Sequence, residues 1–517
     1  AAVLPEKPAV AKASATEPGL VLPCAPSDDE KVMYNKTGRS VMLAFGCVSF
    51  CTVLVGMSMF SAMSHYLYWF AAPTVIALIT AVLHYSLVTA WGDDFDEEGH
   101  AEIVKTMIFP TVDIFLPVCN EPLAVVRNTW EHIAALDYPN FTVHVLDDGH
   151  KDKVRDLAAG YGFNYIRRDD RPLLKKAGNL RYAFARTSGE LIVVFDADFC
   201  PRPDFFHESL PYFADPSIGL VQTPQFFRRS DEQTWVEQGA GVVQELFYRL
   251  IQVGMDRFNA AVCAGSCGIY RRKAVEPFGG VAPVEHSEDM YSGVKITELG
   301  YKIKYVPLCL AMGTCPDTPR SLFMQQYRWC MGTLTLVTSR KDFIHADVPL
   351  LHKLFFIAGL FSYISSALFI FVGPLPIILL VWLEAHRVLW YYAGFAVPSL
   401  IYIVIVIPLW SRQDNVHRAM PSHRVRILKS YAHIYAIKDR IMGTVAPWVP
   451  SGGGASGSSS EAYKSSVRVL IVWSIGSAAF IIGGATWRMM MYPWYHFVSA
   501  VVFAVIGCGL SLSTLWY

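Results

Sequence analysis

The sequence predicts a Rossmann-like α/β domain inserted into a polytopic α-helical membrane domain of about six spans. Three observations predict it. Between residues 92 and 346, short apolar runs alternate with helical patterns, as in a doubly wound sheet of parallel strands. Apolar stretches long enough to cross a bilayer (about 20 residues) flank that region on both sides. Within it, Leu191–Cys200 (LIVVFDADFC) joins a buried-strand pattern to two carboxylates. Ligands of α/β sheets collect there, beyond the carboxyl ends of the strands.

Composition narrows the class. The 517 residues suffice for two or three domains, and 53% of them are hydrophobic. Lys plus Arg (44) balances Asp plus Glu (44), which points away from a nucleic-acid binder. Eleven cysteines form no Cys-x-x-Cys pair, and Cys47, Cys51 and Cys508 lie in apolar runs. Neither a disulfide framework nor a zinc site is indicated.

In chain order, residues 1–38 are rich in Ala, Pro, Lys and Glu and read as a disordered cytosolic tail. Residues 39–91 read as a transmembrane hairpin, Val41–Met63 and Tyr66–Trp91. The α/β domain, 92–346, has strand-like runs at Val112–Pro117, Thr142–Leu146, Leu191–Phe195 and Gly219–Thr223. Helical runs at Ala124–Leu136, Lys151–Gly160 and Ala177–Thr187 separate them. Residues 347–410 read as an interfacial helix and two spans, with a kink at Gly373-Pro374. Residues 411–465 combine a basic amphipathic helix (Arg412, Arg418, Arg424, Arg426, Lys429, Lys438, Arg440) with a loop. Residues 466–517 supply the last two spans. The positive-inside rule puts the basic segment in the cytosol, and with it the α/β domain and both termini.

The chemistry-bearing motifs sit at predicted strand ends. Asp196 and Asp198, two residues apart on an extended chain, face one ligand together and suit a hard cation carrying a diphosphate. Asn120 and Glu121 follow one strand, and the pair Asp147-Asp148 follows another. Lys176, at a helix start, is placed to meet a diphosphate as a point charge. Glu288 and Asp289 form a further acidic pair, one of which can take a proton from an attacking hydroxyl. Arg328 offsets phosphate charge, and Trp329 offers a flat face to a sugar ring. Each alone has a bland alternative: a helix N-terminus for Glu121 and for Glu288-Asp289, an interfacial anchor for Arg328-Trp329.

Taken in order, Asp148, Asp196-x-Asp198, Glu288-Asp289 and Gln325-x-x-Arg328-Trp329 resemble the signature of processive family-2 glycosyltransferases. They are most similar to cellulose synthases and cellulose-synthase-like enzymes. Val221–Phe227, Lys176-Ala-Gly-Asn179 and Ala264-Gly-Ser266 match further blocks of that family. The resemblance implies a GT-A α/β domain on the cytosolic side of the plasma membrane. It implies that Glu121, Asp148 and Asp196 contact the nucleotide of a UDP-sugar, and Lys176 its diphosphate. Asp198, with Asp196, would ligate Mg2+ or Mn2+. Asp289, beside Glu288, would be the general base. Gln325, Arg328 and Trp329 would hold diphosphate and acceptor sugar. It further implies UDP-glucose as donor, a growing β-glucan as acceptor, and a gating loop around Thr444, Pro447 and Trp448. Phe199, Ala264, Gly265 and Ser266 would line the acceptor site. Bacterial cellulose synthases usually carry His and Cys where Phe199 and Ala264 stand, which favours a mixed or non-cellulose product. Within the resemblance the linkage stays open between β-1,4, mixed β-1,3/1,4 and β-1,3. A chitin- or hyaluronan-type synthase using UDP-N-acetylglucosamine and a silent membrane scaffold are the alternatives. Any homo-oligomer would assemble through the apolar spans.

Overall fold

The computed structural model describes residues 22–36, 48–81, 94–227, 230, 232–388, 419–444 and 458–516. The chain divides into two compact units. The first takes the chain up to Asn35 together with Phe95–Arg228 and Ala261–Thr314, and the second takes Lys36–Asp94, Arg229–Ala260 and Cys315–Tyr517. The predicted single domain at 92–346 is therefore interrupted: two of its stretches belong with the apolar helices. The helix Trp235–Leu246 shows why. Its apolar face, Val236, Ala240 and Val242, is buried in the second unit.

In the first unit ten strands run β1 (Val112–Val118), β2 (Phe141–Asp147), β3 (Asn164–Ile166), β4 (Leu191–Val194), β5 (Cys200–Pro201), β6 (Ile218–Gln222), β7 (Phe226–Phe227), β8 (Gly268–Arg271), β9 (Lys302–Tyr305) and β10 (Ala311–Gly313). Seven form one sheet in the order β3-β2-β1-β4-β8-β6-β9, and β5-β10-β7 form a small second sheet. The first four strands of the large sheet are parallel, whereas β8 runs antiparallel to both β4 and β6. The sheet is thus mixed, where a parallel one was expected. The chain enters β8 from the carboxyl edge of β4, with Cys267 N–H donating to Val194 O (2.9 Å), so it must run back along that strand. The central strands β1 and β4 are buried on both faces, consistent with sequences that are apolar apart from Asp113, which is paired with Arg272 and His144.

Helices α1 (Leu123–Ala134), α2 (Asp152–Tyr161) and α3 (Lys175–Phe184) connect the parallel strands. α1 buries Val126, Thr129, Trp130 and Ile133, the i, i+3, i+4, i+7 stripe of an amphipathic helix. α4 (Glu288–Glu298) precedes β9.

Residues 22–36 are folded, although composition assigned them to a disordered tail. Ser27 and Glu30 close a capping box around the short helix Asp28–Lys31. Lys31 Nζ donates to Asp204 (2.8 Å) and Glu208 (2.5 Å), and His100 Nε2 lies 2.6 Å from Glu208. Arg202 binds Pro26 O and Asp28, and Pro23 O accepts from Asn128. These partners lie 105 to 177 residues away in sequence, so composition carries no sign of them.

In the second unit lie α5 (Pro319–Val337), α6 (Leu350–Val372), α7 (Pro374–Leu383), α8 (Ala419–Met442), α9 (Ser458–Arg488) and α10 (Tyr495–Ser513). Among the described residues three helices are long and apolar enough to cross a membrane: Leu350–Leu368, Glu461–Arg488 and Tyr495–Ser513. The predicted break at Gly373-Pro374 is present, but the span-length helix precedes it and a ten-residue helix follows, the reverse of the expected order. Of the predicted N-terminal hairpin, helices Val48–Met63 and Ala71–Ala81 are described, and the predicted span Trp390–Trp410 lies outside the described residues. α7, α9 and α10 share an apolar core around Leu380, Val381, Ile481, Ala485, Phe497 and Ala500. Val472, Phe480 and Val505 point outward and are largely exposed, as lipid-facing residues would be.

α8, expected as an amphipathic helix on the membrane surface, packs against α5, α6 and the Trp235–Leu246 helix. Val425, Leu428, Tyr431, Ala432 and Ala436 are buried, and Arg424 stacks on Trp235.

The Glu208 network generates one prediction. Burial opposes ionisation of Glu208, but hydrogen bonds from His100 and Lys31 outweigh it and hold the carboxyl below its ordinary range. The stabilisation is therefore present above the ordinary Glu pKa (about 4.3) and lost as pH falls through the folded value. Lys31→Ala should lower stability by about 1–3 kcal/mol at pH 7. Melting curves should show that deficit shrinking at pH 3.5.

Candidate functional site

The order β3-β2-β1-β4 makes a switch point. The chain winds outward from β1 through β2 to β3 and then returns to place β4 on the other side of β1. The crevice between the carboxyl ends of β1 and β4 is where such a sheet binds ligands. Glu121 enters from β1, Asp148 from β2 and the pair Asp196 and Asp198 from β4.

Asp147 and Asp148 do not act as a pair. Asp147 turns into its own loop, accepting from the N–H groups of Gly149 (2.7 Å), His150 (3.0 Å) and Lys151 (2.9 Å) and from the Tyr165 hydroxyl (2.8 Å). Asp148 is gripped by Arg168, whose Nε and Nη2 each donate at 2.7 Å. Arg168 is fully buried. Glu121 folds back to accept the Cys119 N–H (2.5 Å). Burial raises its pKa, and the charges of Asp198 and Asp196 add to the rise.

The Asp-x-Asp pair sits in a turn and not on an extended strand. β4 ends at Val194, and Phe199 N–H donates to Asp196 O (3.1 Å). The two carboxylates still share one locality: burial first, and Asp196 second, push Asp198 up to about 6. Lys176 Nζ donates to Asp196 Oδ1 (2.5 Å). Thr314, at the end of β10, donates its hydroxyl to Asp198 Oδ2 (2.9 Å). The small sheet therefore positions one member of the pair and α3 the other, which sequence spacing does not reveal.

Glu288 and Asp289 occupy the first turn of α4, entered through Ser287 in the left-handed region (φ 56°). Burial, followed by the adjacent Glu288, pushes the Asp289 carboxyl up to about 7. Lys176 and Asp196 both act on Asp289 electrostatically, so the acidic pair belongs to the same site. Gly265 lies against it at φ 82°; a Cβ there would stand 3.1 Å from Asp289 Oδ2. Only glycine meets both conditions without strain. Ser266 Oγ accepts the Asp196 N–H (3.0 Å), which connects this loop to the Asp-x-Asp turn. Ala264 N–H donates to Gln222 Oε1 (2.9 Å), Ala264 O accepts from Gln225 (2.7 Å), and Gln222 Nε2 donates to Ser266 O (3.0 Å). The Val221–Phe227 block is thus the clamp that holds Ala264–Ser266.

Phe199 is buried, packed edge-on to Phe227 with ring centroids 5.7 Å apart and against Gly313. Its ring forms part of the support under β10. Gln325, Arg328 and Trp329 lie in the second unit, at i, i+3 and i+4 on one face of α5. Between them Tyr327 donates to Asp439 of α8 (2.9 Å). Thr444, just past α8, donates its N–H to Asp439 O (2.9 Å). Pro447 and Trp448 lie outside the described residues. Arg168, Thr314, Gln222 and Gln225 are the supporting residues that motif spacing alone did not single out.

The Asp196-Asp198 donor set suits Mg2+ or Mn2+ that brings phosphate and water as its other ligands. Burial first and the Asp196 charge second push Asp198 up to about 6, a cost of ionisation that a bound cation would relieve. Among the described residues no group of three or more His, Cys, Asp or Glu stands ready to hold a metal alone.

Residues 113–279 match the sequence pattern of Glycosyl transferase family 2. The chain is 33% identical over 324 residues to a cellulose synthase catalytic subunit (UDP-forming) of Pseudomonas fluorescens, covering 62% of this chain and 42% of that protein. It is 37% identical over 234 residues to Cellulose synthase 1 of Komagataeibacter xylinus, covering 44% and 15% respectively. The chain thus spans less than half the length of these relatives. A mannosyltransferase from Pyrobaculum calidifontis, solved with GDP-Man and Mn2+, superposes with a TM-score of 0.47 at 16% identity, covering 67% of this chain and 96% of that one. The chain carries a family 2 glycosyl transferase domain, and its sequence is cellulose-synthase-like.

Proposed function

We propose that the protein is a processive, inverting β-glucan synthase. It would polymerise glucose from UDP-glucose on the cytosolic face of the plasma membrane and pass the chain through its multi-pass helical unit. The observation that carries this reading is Asp289, a carboxyl pushed up to about 7 beside Lys176 and Asp196. A general base works best with a pKa near the working pH. Asp289 would take the proton of the acceptor hydroxyl as its oxygen bonds to the anomeric carbon. The bond to UDP breaks on the opposite face, which inverts an α-linked donor into a β-glycosidic bond. Asp148 would meet the uridine, and Lys176 would offset charge on the departing diphosphate. Asp196 and Asp198 would hold the Mg2+ or Mn2+, which when bound supplies further neutralisation of that leaving group. Gln325, Arg328 and Trp329 would receive the acceptor end.

A membrane unit on the same chain fits a polymer product. A glucan is too polar to enter lipid with its hydroxyls unpaired, so it needs a protein-lined path. The similarity to UDP-forming cellulose synthase subunits supports the donor assignment. Linkage follows from the acceptor register, which Ala264–Ser266 would help to set.

Three outcomes test this reading. Asp289→Asn should reduce glucose incorporation from UDP-glucose by about 10²–10⁴-fold. In the wild type, kcat should climb as pH rises through about 7, because the base acts only when deprotonated. Glu288→Gln removes a like charge and should move that limb to lower pH.

The same raised carboxyl costs stability. A folded pKa above the unfolded one means that stability falls as pH rises from the ordinary Asp range (about 3.9) toward 7. Ligand-free Asp289→Asn should therefore melt higher than wild type at pH 8, and the gain should shrink toward pH 4.

Product linkage is read by digestion. A polymer made with Mg2+ or Mn2+ and cut by lichenase identifies a mixed-linkage synthase, and one cut only by cellulase a β-1,4 synthase. Polymer from UDP-N-acetylglucosamine alone would overturn the glucan assignment.

A further inference from the structure

The Lys176-Ala177-Gly178-Asn179 block holds one lysine for a diphosphate and three residues to which the reaction assigns nothing. Arg168 explains them. Its guanidinium uses all five donors: Nε and Nη2 on Asp148, Nη2 also on Lys175 O (2.9 Å), and Nη1 on Leu173 O (2.6 Å) and Asp170 Oδ1 (3.4 Å). One buried side chain thus joins the end of β2 to the backbone that opens α3. The chain there is bent by consecutive left-handed residues, Leu174 (φ 54°) and Lys175 (φ 49°), immediately before Lys176. A Cβ on Gly178 would collide with both the Leu173 carbonyl and Arg168 Nη1, so glycine leaves the hole in which the guanidinium sits. Asn179 makes a second connection between the same two elements, donating Nδ2 to Leu146 O (2.8 Å) near the end of β2.

We infer that Arg168 is a positioning residue that fixes Asp148 and Lys176 as one rigid unit, with Gly178 and Asn179 as its seat. A nucleoside diphosphate bound there would meet a preset spacing between the group facing its nucleoside and the group facing its diphosphate. This rests on the nucleotide-sugar reading of the site. Both carboxylate oxygens of Asp148 keep a lone pair beyond the Arg168 bonds, so the clamp leaves Asp148 able to accept from a ligand. Lysine cannot replace this clamp, since it has three donors on a point charge and no planar fork.

The test compares UMP and UDP binding, with Mg2+, in wild type, Arg168→Lys, Gly178→Ala and Lys176→Ala, together with UDP-glucose kinetics. Arg168→Lys and Gly178→Ala should raise KM about tenfold or more while kcat stays within about threefold, the mark of lost ground-state binding. Their preference for UDP over UMP should fall toward that of Lys176→Ala. Where a single variant fails to fold because Asp148 is left buried and unpaired, Arg168→Gln combined with Asp148→Asn removes both charges. That pair should fold and still show the reduced preference. Folded variants that keep the wild-type KM and the wild-type UDP-to-UMP ratio would overturn the inference. Wild-type protein that binds neither UMP nor UDP would overturn the nucleotide-sugar reading itself, a separate result.

Discussion

The site depends on crowding several carboxylates around one ammonium group. Glu121, Asp196, Asp198, Glu288 and Asp289 influence one another or Lys176 electrostatically, and Lys176 donates a hydrogen bond to Asp196. Burial first, and neighbouring carboxylates second, raise the pKa values of Asp198 and Asp289. Four elements hold these five carboxylates: Thr314 beside the small sheet holds Asp198, Lys176 of α3 holds Asp196, the β1 loop holds Glu121, and the first turn of α4 carries both Glu288 and Asp289. A ligand that combines a cation with a diphosphate fits this arrangement, since the cation answers the carboxylates and Lys176 answers the phosphates.

The sheet makes the arrangement reachable. Strands β1 and β4 are neighbours in space but 76 residues apart at their last members, Val118 and Val194, with Val118↔Asp147 on one side and Phe115↔Val194 on the other marking where the pairings end. Reversal of the winding direction at this place opens the crevice, and the antiparallel return of β8 carries Ala264–Ser266 across the end of β4. The loop that pins the Asp196 backbone and the glycine that lies on Asp289 are thus consecutive residues, Ser266 and Gly265.

The helical unit follows a different logic. α9 and α10 expose Val472, Phe480 and Val505, while α8 buries Ser422, Ser430, His433 and Asp439 along with its apolar residues. Tyr327 and Asp439 connect α5 to α8, and Thr444, just past that helix, donates its N–H to Asp439 O. The helix bearing Gln325, Arg328 and Trp329 is therefore tied to the last turn of α8.

The sequence by itself determined the element types and the chemistry-bearing residues. Strands β1, β2, β4 and β6 and helices α1 to α3 fall within a few residues of their apolar patterns, because burial on one or two faces writes itself locally at periods of 2 and 3.6. Glu121, Asp147-Asp148 and Asp196-x-Asp198 were legible because they follow those strands directly, whereas Glu288-Asp289 opens a helix. The tertiary structure alone decided which carboxylates pair. Asp147 is spent on its own loop, Asp148 on Arg168 twenty residues away, and Asp198 on Thr314 a further 116 residues along. It also decided that β8 runs antiparallel, that residues 22–36 fold onto Asp204 and Glu208, and that α8 is buried. In each case the deciding contact joins residues far apart in the chain, and a local pattern holds no information about a partner that only folding brings near.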